Sequence, residues 1–399
     1  MKVLAVIITS PGYSVSGAVT AAKNLSLAIS NLCNVHLAIM SDNNSEERKG
    51  KLVIKNFKCR NILSKISEII PSQLKNYFWI SDIDKYIDEF KPNIVHFHNP
   101  VPPLSLWKLS KVCIKNKIPY VISSHGFIEM FDYKKAYNIG FLKGLAINPM
   151  IMSPFLKTLN NAAGIFLLSP NEREVLESNI RFNKTISVVP NGYDKKYDNE
   201  VNNDILNQCI IKFKINPNKP TFLFMGNHTH NKGIDIILNS LKHIDNDLQI
   251  LIGGKIKSEK ENEILISKCD LLENEKRFIF TDFLTDEEAV ALYKIADCFI
   301  FPSRADTFPL VILEAMVSNL PIIATKIGGI PYQINKDCGI LIEPNSPKDL
   351  ASAMKRLIDK PEDILRMGNN SKKRVLENFS WEKSADIVIH EYSNILSNV

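Results

Sequence analysis

The stretch FPSRADTFPLVILEAMVSNLPIIATKIGG, residues 301–329, decides how the rest of the chain is read. Its middle predicts a short helix from Pro309 to Val317, in which Glu314 is the only charged or polar side chain. Apolar positions all round mean a helix buried on every side. An ionised carboxylate there is costly unless something pairs with it or hydrogen-bonds to it. Pro309 suits the first helical position, where a missing N–H is no loss. The amides of Leu310 and Val311 then point out of the helix start, an arrangement that favours an anion. Glu314 lies roughly 7–8 Å further along the axis at about 1.5 Å per residue, near the reach from a diphosphate to the ribose of the same nucleotide. Asp306 sits in the loop ahead of the helix, on the other side of such a diphosphate. A salt-bridged structural Glu314 and a helix-capping Asp306 are the competing reading of the same residues.

The stretch resembles the signature of the retaining glycosyltransferases of family four, which have the GT-B fold. The resemblance rests on Pro302-Ser303-Arg304, two acids separated by seven residues, Leu313-Glu314-Ala315-Met316 and the later Gly328-Gly329. The family usually shows E-G-F-G-L-V where this chain has Asp306-Thr307-Phe308-Pro309-Leu310-Val311. Asp therefore replaces the first Glu, and Thr307 and Pro309 replace two glycines.

The first half repeats strand, turn and helix. VLAVII (3–8) is a continuous apolar run bounded by Thr-Ser-Pro-Gly, as a buried parallel strand should be. A helix from about Gly17 to Asn31 follows, then strand-like runs at 35–40, 52–57, 94–99, 120–125 and 164–169. This predicts an α/β domain with a parallel sheet, whose ligands gather at the carboxyl ends of the strands. The turn TSPGYSVSGAV is not G-x-G-x-x-G, which disfavours a dinucleotide dehydrogenase. The family places a Gly-Gly pair here against the donor diphosphate; Gly17 is the residue that carries over. His125, before Gly126, matches a family histidine that lines the donor sugar pocket.

His96 and His98 share one strand face, but no third metal ligand is evident. FWISDID (78–84) ends in Asp-x-Asp, the metal-binding mark of the GT-A glycosyltransferases. The favoured reading is instead a helix DIDKYIDEF capped by Ser81. No metal and no cofactor are expected, the nucleotide sugar being a substrate.

ISVVPNGYD (186–194) resembles the family's interdomain link. A second strand–helix series then begins with TFLFMG (221–226) and continues at 248–254, 277–283, 298–303, 321–328 and 339–343. Family members commonly have an Arg directly after the glycine of TFLFMG and a Lys-Gly six residues on, both basic groups meeting the donor diphosphate. Lys232 and Gly233 match, while Asn227 holds the Arg position. A lysine at a helix start opposes the dipole, which favours a ligand role for Lys232. His228, His230 and Arg304 are the candidates to supply the missing charge. FSWEKSADIVI (379–389) resembles the family's last helix, which crosses back onto the first domain.

The resemblance implies two Rossmann-like α/β domains facing across a cleft: residues 1–194, joined by a helix at about 380–399, and residues 195–379. It implies a retaining glycosyltransferase that moves a sugar from a nucleotide-diphosphate donor to a glycan or lipid-linked acceptor, in cell-surface polysaccharide synthesis. His125, Asp306 and Lys232 would serve catalysis; Gly17, Asn227, Thr307, Phe308, Leu310, Val311, Glu314 and Gly329 would hold the donor. A degenerate GT-B protein that binds without transfer, and a sugar-nucleotide epimerase of the same fold, stay open as alternatives.

Composition agrees with this class. The 399 residues are 45% hydrophobic and 23% charged, which fits folded domains. The seven cysteines are widely spaced and include no C-x-x-C pair, which points to a reduced, cytoplasmic setting. Residues 1–190 carry 23 Lys+Arg against 13 Asp+Glu; residues 191–399 carry 26 against 30. The basic half suits an anionic membrane surface, the inner face of the cell membrane, or is a set of solvated lysines. The segment 127–160 mixes Phe and Met with lysines in the same sense. Met1 to Ile8 is too short for a signal peptide, the stretch 136–156 is broken by Lys143, Pro149 and Pro154, and no nucleic-acid motif appears.

Overall fold

The run Val3–Ile8 has no residue more than 1% exposed, and its strand lies between two parallel neighbours. This computed structural model describes residues 1–9, 16–62, 78–99, 102–125, 131, 141–254 (backbone only for 141–150), 278–281 and 284–398. The chain divides into two compact units: Met1–Gly192 with Trp381–Val399, and Tyr193–Ser380.

In the first unit the strands are β1 (Lys2–Ile7), β2 (Asn34–Ser41), β3 (Ser45–Lys49), β4 (Leu52–Asn61), β5 (Trp79–Ser81), β6 (Ile94–Phe97), β7 (Tyr120–Ser123), β8 (Gly164–Leu167) and β9 (Thr185–Val188). Their order is β3-β4-β2-β1-β6-β7-β8-β9, with β5 paired to β4. The centre is parallel, but β3 and β5 pair antiparallel to β4, so the sheet is mixed rather than wholly parallel. Strand β3, SEERK, is exposed at every position and carries no apolar pattern to betray it. The start of ISVVPNGYD is not a linker: Thr185–Val188 forms the last strand, paired to β8.

Helix Gly17–Ser30 starts with Ser16 accepting a hydrogen bond from the Val19 amide at 3.4 Å. Ser81 does not cap the next helix. It ends β5, and Asp82 takes the cap position before Ile83–Phe90 without a side-chain cap bond. Asp82 pairs with Lys85 at 3.2 Å and Asp84 with Lys108 at 2.9 Å. The helix Trp381–Ser397 belongs to this unit, where Tyr392 is fully buried and Ser384 donates to the Pro190 carbonyl at 2.6 Å. Phe127 and the segment 132–140 lie outside the described residues.

The second unit holds β10 (Thr221–Met225), β11 (Gln249–Gly253), β12 (Phe278–Phe280), β13 (Cys298–Phe301), β14 (Ile322–Thr325) and β15 (Gly339–Ile342). The order is β12-β11-β10-β13-β14-β15 and every pairing is parallel. The strands β11, β13 and β14 are buried throughout, because helices cover both faces of such a sheet. This is doubly wound topology, and its order reverses between β10 and β13. Ligands in open α/β sheets bind outside the carboxyl ends of the strands at that reversal. The loops 226–233 and 302–309 leave those two strand ends.

Candidate functional site

The loop after β10 closes on that after β13 through backbone and charge together. A 3-10 turn spans His230–Lys232, Gly233 adopts φ 73°, and helix Ile234–Ser240 begins directly after it. A Cβ on Gly233 would stand 2.1 Å from the Pro302 carbonyl oxygen, so only glycine permits this approach. The Arg304 amide donates to the Asn231 carbonyl at 2.7 Å. The Lys232 ammonium pairs directly with Asp306, their side chains 24% and 16% exposed. The Ser303 hydroxyl lies 3.3 Å from the same Asp306 oxygen, and Lys232 Nζ sits 5.3 Å above the Phe301 ring. Two residues expected to serve different parts of a ligand therefore hold one another.

Arg304 does not supply the charge missing at Asn227. Its guanidinium makes a bidentate pair with Asp235 at 2.8 Å on both arms, donates to the His230 carbonyl and reaches Asn345 at 2.6 Å. His228 is 2% exposed and packs edge-on against Phe280, away from solvent. Asn227 is half-buried.

The helix after the loop runs Leu310–Val317, one residue later than expected, with Pro309 as its cap at ψ 126°. Pro309 stands just outside the helix in extended conformation, and its carbonyl accepts from Gln333 Nε2 at 3.0 Å. The first amides of this helix, Leu310 and Val311, have no intrahelical acceptor by geometry. Gly328 adopts φ 49° and a Cβ there would meet the Asp306 carbonyl at 2.0 Å, while the Gly329 amide donates to Thr307 at 2.7 Å. Thr307 is half-buried. Phe308 is 4% exposed in an aromatic cluster with Tyr332 and Phe379, so its side chain builds the unit's interior.

Among the described residues Glu314 has no cation within ion-pair distance. The Tyr293 hydroxyl donates to its Oε2 at 2.9 Å. Burial is the largest influence on it and pushes its pKa up to about 7, against the hydrogen bond from Tyr293.

The expected site residues His125 and Gly17 lie in the first unit. Its sheet order also reverses, between β1 and β6, and Gly17 opens the helix that follows β1. Gly17 is exposed and a Cβ there meets nothing within 4 Å. His125 follows β7, where burial lowers its pKa to about 4, so the imidazole is neutral near pH 7. Its neighbour Ser124 donates to Glu172 at 2.7 Å, and the same Glu172 oxygen accepts the Leu168 amide at 2.6 Å. Glu172 is 2% exposed and burial pushes its pKa up to about 7. His96 is a structural residue: its Nδ1 meets the Tyr392 hydroxyl at 2.6 Å and its Nε2 the Ser123 hydroxyl at 2.7 Å. His98 stacks on it with centroids 3.9 Å apart and is itself 6.4 Å from the His125 ring.

Sequence reasoning missed Tyr293, Tyr197 and Glu172. Tyr293 and Tyr197 come from elements distant in sequence from Glu314, and no local spacing signals such a contact. Glu172 alone left a trace, as an acid in the first turn of a helix behind an apolar strand.

The chain matches the family described as Glycosyl transferases group 1 over residues 209–374 and the Glycosyltransferase Family 4 over residues 15–197. An uncharacterized glycosyltransferase of Methanocaldococcus jannaschii is 26% identical over 328 residues, covering 79% of this chain and 90% of that protein. The O-antigen chain mannosyltransferase C of Escherichia coli is 27% identical over 234 residues, 58% of this chain and 60% of the relative. In structure, the chain is similar to sucrose-phosphate synthase from Thermosynechococcus elongatus (TM-score 0.77, 18% identity, 100% of both chains). It is also similar to Anabaena HepE in complex with UDP (TM-score 0.75, 14% identity, 99% of this chain and 100% of that one). At these identities the structural likeness establishes the GT-B fold.

Proposed function

Because this chain is a group 1 glycosyltransferase of family four, we propose that it transfers a sugar from a nucleoside-diphosphate donor with retention of configuration, without a metal ion. The observation that carries this reading is the cluster at the reversal of the second sheet. Lys232 and Asp306 meet there beside the start of helix Leu310–Val317, with Glu314 farther along the same helix. Glu314 accepts the ribose hydroxyls; Asp306 and the neutral His125 hydrogen-bond sugar hydroxyls. Lys232 and the amides of Leu310 and Val311 stabilise the leaving diphosphate, where charge grows as the bond breaks. The acceptor hydroxyl attacks the anomeric carbon from the face the diphosphate leaves. The C1–O bond to phosphate breaks, and the leaving phosphate oxygen takes the acceptor's proton. Asn227, Thr307 and Gly329 line the donor in this reading, and Gly17 approaches the diphosphate. The acceptor is a glycan or a lipid-linked glycan of surface polysaccharide synthesis, met at the cytoplasmic face of the membrane. A relative that acts on O-antigen chains supports that class.

One observation favours a second reading, a protein that binds a nucleotide sugar without transfer. The family's Arg position holds Asn227, and Arg304 is committed to Asp235.

The test is a panel of UDP-, GDP- and ADP-sugars incubated with the protein, with and without EDTA. A transferase hydrolyses one of them slowly and does so equally in EDTA. Absence of turnover with measurable binding would support the binder; donor interconversion would identify an epimerase. Activity lost in EDTA and restored by Mn²⁺ would refute the metal-free mechanism.

A further inference from the structure

The hydroxyl of Tyr293 lies 2.9 Å from Glu314 Oε2 and 3.5 Å from the Val311 carbonyl, one turn apart on the same helix. Tyr293 is fully buried on helix Asp286–Ile295, which opens with a Thr285–Glu288 capping box. Its ring packs edge-on against Tyr197, centroids 5.1 Å apart at 80°, and lies tilted by 34° against Phe299 at 5.7 Å. Tyr197 is 6% exposed and ends the 3-10 turn Lys195–Tyr197. That turn is fixed at both ends, by Asp194 accepting the Lys196 amide at 3.1 Å and by Ser318 donating to the Tyr197 carbonyl at 3.2 Å. The Tyr293 phenol thus donates to the carboxyl while the Tyr197 ring packs against that phenol, and neither can swing away without disturbing a packed helix or turn. The hydroxyl donated to Oε2 takes up one acceptor position of this half-buried carboxyl and leaves it further acceptor capacity.

We propose that Tyr293, supported by Tyr197, is a positioning residue that holds the Glu314 carboxylate in the orientation that accepts the ribose hydroxyls of the nucleotide. This rests on the donor-site reading given above. Among the described residues, the titratable groups that act on Glu314 are Tyr293, Tyr197, Lys196 and Asp194. Burial opposes ionisation, as does Asp194; Tyr293, Lys196 and Tyr197 favour it. Removing the Tyr293 hydroxyl therefore makes the carboxyl harder to ionise as well as freer to turn.

The experiment is calorimetric titration of the full chain with UDP, GDP and ADP from pH 5.5 to 9. The tightest of the three is then compared with its 2′,3′-dideoxy analogue. In wild type, affinity rises with pH through an inflection near 7 and levels off at higher pH as Glu314 becomes fully ionised. Tyr293→Phe lowers affinity at pH 7.5 about fivefold, the effect of one hydrogen bond, and moves the inflection to higher pH. Tyr197→Phe moves it in the same sense and covers the case that Tyr293→Phe does not fold. Neither substitution changes affinity for the dideoxy analogue. A loss by Tyr293→Phe that is equal for both nucleotides would reduce it to a packing residue and overturn the proposal. Unchanged affinity and inflection in both phenylalanine variants, with Glu314→Gln still impaired, would overturn it too. Unchanged affinity in folded Glu314→Gln would instead remove Glu314 from the ribose, and no binding of any of the three would remove the donor site itself.

Discussion

Lys232 and Asp306, one from each loop at the reversal of the second sheet, form a direct ion pair. A diphosphate drawn to Lys232 competes with that carboxylate, and the sugar hydroxyls compete for Asp306 with the ammonium. The pair therefore keeps both side chains in place, at a modest cost for a partly exposed bridge. Asp306→Asn should raise affinity for the free nucleoside diphosphate about twofold to fivefold, the scale of a bridge worth up to about 1 kcal/mol. The same variant should lose transfer by about tenfold to a hundredfold, because a charge-assisted bond to the sugar is gone. Calorimetry and donor turnover on one preparation check both. Weaker nucleotide binding in a folded Asp306→Asn protein would contradict the competition.

Glu172 gives a stability prediction whose sign runs opposite to the usual carboxylate. Burial raises its pKa from 4.5 to about 7, so between those values the folded chain binds more protons than the unfolded one. Its contribution is then most favourable at low pH and is lost as pH rises through 7. Glu172→Gln is neutral throughout and should gain on wild type by up to about 3 kcal/mol between pH 5 and pH 8. Urea unfolding at the two pH values measures this. An unchanged difference would mean that Glu172 is ionised in the fold at both.

The architecture was legible because buried parallel strands announce themselves as apolar runs. VLAVII, QILIG and CFIF all became strands close to their expected bounds. Strand β3 was illegible because SEERK pairs only at an exposed edge, where burial leaves no mark on composition. The site was half legible. Lys232, Asp306 and Glu314 follow from motif spacing, whereas their partners Tyr293 and Tyr197 depend on which helix and turn pack beside them. Arg304 reads in sequence as a free cation, and only the fold reveals its bidentate contact with Asp235.

One face of helix Pro103–Lys115 bears on the membrane proposal. Trp107 lies under Lys111 Nζ at 3.9 Å and Lys157 Nζ at 5.8 Å, and Ile114 on the same face is 50% exposed. Among the described helices none is long and apolar enough to cross a membrane. Attachment would then be peripheral, each basic residue contributing about 1 kcal/mol near an anionic surface. Liposomes with 30–50% anionic lipid, a composition chosen for the assay, should sediment the protein at low salt and release it at about 1 M, where the Debye length is about 3 Å. A Lys111→Glu/Lys157→Glu variant should stay in the supernatant. Wild-type protein that stays in the supernatant under every condition would leave the basic half a solvated surface.

The central claim is transfer with retention at the Lys232–Asp306 cluster, and the anomeric configuration of the first product tests it most directly. Proton NMR during hydrolysis of the preferred nucleotide sugar, before mutarotation, should show the released sugar with the donor's configuration. Lys232→Ala should suppress that signal by about a hundredfold or more, as loss of a charge that stabilises the leaving group requires. Initial appearance of the opposite anomer, or full activity in Lys232→Ala, would contradict the account.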